Sequence, residues 1–217
     1  MNIEDIEVRY EPLPLLIIRN VFSKEENEII LKEAINNKEK YKNAITFGGE
    51  DDNFRSNKVA YYDEIYKDDR TKSVLLSKLD SLFTDEIFGE TLNSSPAPLN
   101  EFSKSNYHET QVSRYGDDGQ FYKYHIDAAN NDKRQLTMVY YMNTEPKEYE
   151  HGEIIFTKSP IVHGEVIDET QKEIIIEPEN NMAVIFGSHT AHKVNPTISP
   201  EDFDKGRFSV NCWIGKI

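Results

Sequence analysis

From residue 109 onward the chain is cut into short β-rich segments by turn residues: Gln111–Tyr115, Tyr122–Ile126, Gln135–Met142, Glu153–Phe156, Glu173–Glu177, Met182–Phe186 and Arg207–Ile214. Seven strand-like runs with no helical period between them point to a double sheet, a sandwich or jelly roll. The first half is mixed. Leu15–Ile18 reads as a strand, and Ser23-Lys24-Glu25-Glu26 has the form of a capping box opening a helix with Ile29, Ile30 and Ala34 on its apolar side. Residues 44–56 are rich in Gly, Asp and Asn and read as a loop, followed by a candidate strand Val59–Tyr62. A second helix is expected over Asp69–Phe88, with Val74, Leu75, Leu79, Leu82 and Phe83 on one side, and Leu92–Glu101 reads as a connector. The expectation is one domain over residues 1–217, mostly β with flanking α. Residues 1–108 form a helical and strand support, and 109–217 a double-stranded β-helix of cupin type, with the N-terminal helices packed on the outside.

Composition narrows the function classes. With 37% hydrophobic residues, 12 Tyr and 11 Phe, the 217-residue chain can fill a core. A formal charge of −14 repels phosphate backbones, so no nucleic-acid partner is expected and a neutral or basic peptide suits the surface better. Cys212 is alone, which excludes an intrachain disulfide and a multi-thiolate zinc site. The acidic N-terminal stretch lacks the apolar core of a signal peptide, and no apolar run is long enough to span a bilayer, so the expected location is the cytoplasm with no membrane partner.

The chemistry-bearing pattern is His125-Ile126-Asp127, with His192 and Arg207 further on. Side chains at i and i+2 of an extended chain share a face, so His125 and Asp127 can grip one ion together. For a third ligand the candidates are His189 and His192. Two imidazoles and one carboxylate on one side of a metal leave open positions opposite, the arrangement of non-haem Fe(II) oxygenases. A guanidinium such as Arg207, at the start of a β-rich run, can fork onto a carboxylate; its plainer reading is an edge-strand surface arginine.

Five segments in order carry a wider resemblance: Arg114–Tyr122 leading into His125–Asp127, then Thr137–Asn143, His151–Phe156, His192-Lys193-Val194 and Gly206–Ile214. Together they resemble the prolyl 4-hydroxylase branch of the Fe(II)- and 2-oxoglutarate-dependent dioxygenases, strongly over the C-terminal half and in outline over the rest. The resemblance implies Fe(II) held by His125, Asp127 and His192, the last favoured over His189 by its H-x-V setting. It implies the cosubstrate 2-oxoglutarate, with O2 and ascorbate as a candidate addition. It places Arg207 on the distal carboxylate, with Tyr115, Tyr141, Thr137 and Trp213 around the same pocket; for the tyrosines, ordinary strand packing is the competing reading. The implied reaction hydroxylates an unactivated C–H bond, most readily of a prolyl residue in a peptide or protein, and releases succinate and CO2. Asp127, where related halogenases have a small residue, favours hydroxylation.

Two departures from the family pattern stand out. His151 replaces the first of two glycines before Glu153, and residues 199–204 lengthen the gap before Arg207. The second would endanger the anchor if it shifted strand register. Alternatives are a hydroxylase of a free amino acid or other small molecule, a nucleic-acid demethylase, or a cupin-like binding module without turnover. The loop Phe47–Ser56 is a candidate substrate lid or an ordinary solvated loop, and oligomeric state is not legible.

Overall fold

The computed structural model describes residues 5–46, 49–116, 119–129, 131 and 133–217. Phe47 and Gly48 of the candidate lid, and Asp117 and Asp118 of the first family-like segment, lie outside them. The strands in chain order are β1 (Asp5–Arg9), β2 (Leu15–Arg19), β3 (Lys42–Asn43), β4 (Lys58–Tyr61), β5 (Tyr107–Tyr115), β6 (Gln120–His125), β7 (Arg134–Met142) and β8 (Glu150–His151). They continue with β9 (Ile154–Thr157), β10 (Ile161–Val162), β11 (Glu165–Val166), β12 (Ile174–Ile176), β13 (Met182–Gly187), β14 (Ala191–Ile198) and β15 (Arg207–Gly215). The helices are α1 (Lys24–Asn36), α2 (Tyr62–Ile65), α3 (Val74–Phe83) and α4 (Glu86–Asn93).

Eight strands form an antiparallel major sheet in the order β1-β2-β13-β7-β15-β5-β4-β3, and β12-β9-β14-β6, with β8 paired to β14, form the opposing minor sheet. Period-two alternation assigns the faces of the major sheet. Leu136, Met138, Tyr140 and Met142 of β7, with Phe208, Val210, Cys212 and Ile214 of β15, turn outward. They bury the apolar stripes of the helices, among them Ile30, Ala34, Leu75, Leu79 and Leu82. Val139 and Tyr141, with Leu15, Ile17, Val184 and Phe186, turn inward onto Ile154, Phe156, Ile174 and Ile176 of the minor sheet. The helices therefore pack on the outside of a jelly roll, as expected. The strands before residue 109 do more than support it, since β1 to β4 extend the major sheet at both edges.

Several local expectations change. Residues 69–88 do not make one helix: Ser73 caps α3 and Asp85 caps α4, each side chain accepting a backbone N–H one turn on, so the chain bends at Thr84 between two short helices. The connector begins later for the same reason, because Leu92 is still helical. Helix α1 has the full capping box between Ser23 and Glu26, but Ile29 is 48% exposed and Leu31 takes its place in the core. Tyr62 opens α2 rather than closing β4. The strand β14, which carries His192, has no counterpart among the expected runs; Pro196 and alternating polar residues disguise it, and its pairing with β6 is broken by register shifts.

Candidate metal and cosubstrate site

β6 and β14 run antiparallel in a register that sets His192 directly across from His125. Asp127 follows two residues beyond, in the turn after β6, so a cross-strand pair and a turn carboxylate converge. His125 Nε2 lies 3.7 Å from Asp127 Oδ1, and His192 Nε2 lies 3.6 Å from Asp127 Oδ2. One ligand atom from each of the three residues falls within 4.8 Å of the others, and among the described residues this is the group of three such side chains able to hold an ion. His189 sits exposed in the turn between β13 and β14 and is not one of the three converging residues.

The surroundings fix how these groups present themselves. Nδ1 of His125 is 2.8 Å from the Lys123 carbonyl and Nδ1 of His192 is 2.9 Å from that of Thr190. A carbonyl only accepts, so both Nδ1 atoms carry a proton and both Nε2 atoms are the ones turned to the cluster. Burial and the adjacent His192 push the His125 pKa down against the pull of Asp127, which keeps the ring neutral. Burial alone would raise the Asp127 carboxyl, but His192, His125, the Thr137 hydroxyl and the nearby Trp213 outweigh it and hold it below its ordinary value. The Tyr122 ring stacks on His125 with centroids 3.5 Å apart, and Phe156 and Phe186 pack against His192. The donor set of two imidazoles and one ionised carboxylate suits ferrous iron.

Arg207 lies at the far end of a narrow cavity shared with the cluster and lined by Tyr115, Thr137, Val139, Ile154, Val194, Ser209 and Asn211. It is 1% exposed. The lengthened segment before it holds only a short turn at Phe203–Lys205, and β15 stays in register, with Arg207 opposite Tyr115 and Ser209 opposite Tyr141. Its guanidinium lies 4.8 Å from the Tyr115 ring centroid and 5.0 Å from that of Tyr141, and it donates to Ser209 Oγ at 3.4 Å. Among the described residues no carboxylate pairs with it, and its Nε, the hydroxyls of Tyr141 and Tyr149, and Thr197 Oγ1 are buried without partners. A buried cation ringed by idle donors fits an anionic group such as the distal carboxylate of 2-oxoglutarate. Burial raises the pKa of Tyr115 and Tyr141, and pushes that of Tyr149 to about 12, so all three stay protonated and able to donate. Only about 20 Å³ stays open here, so uptake of a cosubstrate requires these side chains to shift.

Gly152 explains why one glycine of the expected pair is enough. Its φ is +75°, and a Cβ there would come within 2.7 Å of both Arg207 Cδ and Thr197 Oγ1. His151, in the other position, is exposed and takes φ +63° itself.

Thr137 keeps its place on the wall of the Arg207 cavity and has a second contact: its hydroxyl donates to Asp127 Oδ2 at 2.7 Å and lies 3.0 Å from Ser188 Oγ, so it also orients a ligand. Trp213 lines the opposite side of Asp127 under the Arg134 guanidinium, 3.9 Å from its ring centroid. There a groove of about 420 Å³ opens to solvent, lined by Ile45, Thr46, Arg55, Glu64, Glu109, Gln111, Tyr122, Asp127, Arg134, Asn211 and Trp213. Sequence reasoning missed Arg55, Arg134, Ser209 and Asn211. The inward set Arg207, Ser209, Asn211, Trp213, alternating with Phe208, Val210, Cys212 and Ile214, was the signal: a polar inner face on an otherwise apolar sheet marks a cavity.

Residues 110–215 match the 2OG-Fe(II) oxygenase superfamily. Residues 110–215 carry the 2OG-Fe(II) oxygenase domain. A relative, an uncharacterized PKHD-type hydroxylase of Synechocystis sp., is 31% identical over 204 residues, covering 92% of this chain and 62% of its own length. The chain thus spans under two thirds of that curated relative. Among solved structures, a Trichoplax adhaerens prolyl hydroxylase in complex with a hypoxia inducible factor peptide superposes with a TM-score of 0.66 at 19% identity, over 93% of this chain and 83% of its own. The α-ketoglutarate-dependent epimerase SnoN of nogalamycin biosynthesis superposes with a TM-score of 0.63 at 13% identity, over 96% and 78%. At such identities these two establish the shared fold of the oxygenase domain.

Proposed function

We propose that the protein is an Fe(II)- and 2-oxoglutarate-dependent hydroxylase acting on an unactivated C–H bond, with a prolyl residue of a peptide or protein as substrate and succinate and CO2 as co-products. The observation that carries this reading is the division of space around Asp127. On one side lies a closed cavity ending at a buried Arg207 that no carboxylate among the described residues pairs with, and on the other a groove open to solvent. Bound iron, 2-oxoglutarate and O2 supply an oxidant able to break such a bond. The residues do the placing. His125, Asp127 and His192 would hold the metal and Thr137 would fix Asp127. Arg207 and the neutral phenols would take the distal carboxylate, and Val139, Ile154 and Val194 would keep water from the cavity.

The test is succinate formation by protein supplied with Fe(II), 2-oxoglutarate and O2, followed by mass spectrometry of a proline-containing peptide library. One added oxygen on proline supports the reading. His125→Ala and Asp127→Ala should each abolish succinate formation while the fold survives, and turnover retained by either variant rejects the ligand assignment. A second reading, hydroxylation of a free small molecule, draws support from the limited size of the groove and from the fold shared with SnoN. Oxygen incorporation into free amino acids but into no peptide would establish it.

A further inference from the structure

Two buried guanidiniums flank the cluster, and the function proposed above occupies only one of them. Arg55, on the groove side, is 5% exposed. Its Nε donates to Oδ1 of Asn57, a neutral acceptor, at 2.7 Å, and its guanidinium carbon lies 4.4 Å from the centroid of the Tyr122 ring that stacks on His125. Among the described residues its Nη2 is buried with no partner.

The carboxylates along the same groove are committed elsewhere. Asp63 is held by Arg70 and the Thr110 backbone N–H, Glu109 by Arg134 and Asn131, and Asp127 by Thr137, while Glu64 is exposed at the mouth. Among the described residues none of them forms an ion pair with Arg55. A positive charge therefore stands at the inner end of the groove, withdrawn from water, with one fork of its guanidinium idle. A desolvated guanidinium calls for an anion, and a carboxylate is small enough to enter the groove and accept a charge-assisted bond from the idle Nη2.

We infer that Arg55 recognises a carboxylate carried by the substrate, and that this ion pair positions the substrate against the face of the cluster that the groove exposes. The inference rests on the oxygenase reading and adds a substrate class to it: a molecule with a carboxylate close to the bond that is oxidised. That group can be the α-carboxylate of a free amino acid or an acidic side chain next to the target residue in a peptide.

The experiment titrates matched probes, by calorimetry, into protein loaded with Mn(II) and 2-oxoglutarate. The pairs are L-proline against L-prolinamide, and the end-capped peptide Ala-Asp-Pro-Ala against Ala-Asn-Pro-Ala. At least one carboxylate probe should bind tenfold or more tightly than its amide, and the pair that shows it names the source. Arg55→Met should erase the preference and Arg55→Lys should keep part of it, with the 2-oxoglutarate titration and thermal midpoint of each variant showing that the fold and the loaded site persist. Absence of any carboxylate preference in the loaded wild-type protein, or a preference that survives in Arg55→Met, overturns the inference. Failure to take up Mn(II) and 2-oxoglutarate shows before any probe is added; it overturns the oxygenase reading, and the inference with it.

Discussion

At the scale of single residues, the proposed cosubstrate end depends on a close fit around one cation. Replacing Arg207 by Met removes charge-assisted hydrogen bonds of about 1.5–3 kcal/mol, so the KM for 2-oxoglutarate should rise roughly 10- to 100-fold in a steady-state succinate assay. Gly152→Ala tests the same cradle from the backbone side. The added methyl must displace Arg207 or Thr197 and the residue must hold φ +75°, so 2-oxoglutarate should bind at least about tenfold more weakly by titration, together with a loss of stability. Thr137→Val deletes the bond to Asp127 and should weaken metal binding about tenfold with little change in 2-oxoglutarate affinity once metal is saturating. An effect mainly on 2-oxoglutarate would show that its place on the cavity wall outweighs its bond to Asp127. The pairing of His125 with Asp127 was legible because the two-residue period of an extended chain is local. Thr137 was not, because its partner is decided by how β7 lies beneath the turn after β6.

Among the elements, β5 carries a device whose sign can be worked out. His108 packs on Phe83 and pairs with Asp80, but burial and then Arg70 hold its pKa below the ordinary histidine value. The unfolded chain therefore takes up a proton near pH 6.5 that the folded chain refuses. Stability should be flat above that pH and fall below it, by up to about 1.4 kcal/mol per pH unit, until the folded pKa is reached. Urea denaturation of wild type and His108→Gln at pH 7.5 and 5.5 measures it, and the variant should show the shallower loss. Helix α1 gives a plainer test, since Ser23→Ala removes a capping box and should cost about 1 kcal/mol in the same assay. The capping box was readable because it is written within four residues. The break between α3 and α4 was equally local, with Asp85 a cap in plain view, yet the continuous apolar spacing masked it. β14 was hidden for a different reason: a strand interrupted by Pro196 is tolerated here because the irregular pairing with β6 absorbs it, and only the partner strand reveals that.

For the whole molecule, the two sheets are joined chemically as well as by packing. Metal and 2-oxoglutarate that bind only the folded state should raise the thermal midpoint, by about 5–10 °C at ligand concentrations near 100 times Kd, and His125→Ala should abolish the metal-dependent part in differential scanning fluorimetry. The layering of helices on one face of the major sheet followed from segment patterns alone. The position of the cavity did not, because it depends on where β15 turns its polar alternate residues inward. β6 also has two neighbours: β14 on one edge, and on the other the segment Phe54–Ser56, tied to it by the Lys123 N–H to the Phe54 carbonyl at 2.9 Å and the Ser56 N–H to the Phe121 carbonyl at 3.1 Å. Groove wall and ligand-bearing strand are thus one continuous ribbon. A guest that displaces this wall must therefore strain backbone bonds to the very strand that presents the imidazole of residue 125.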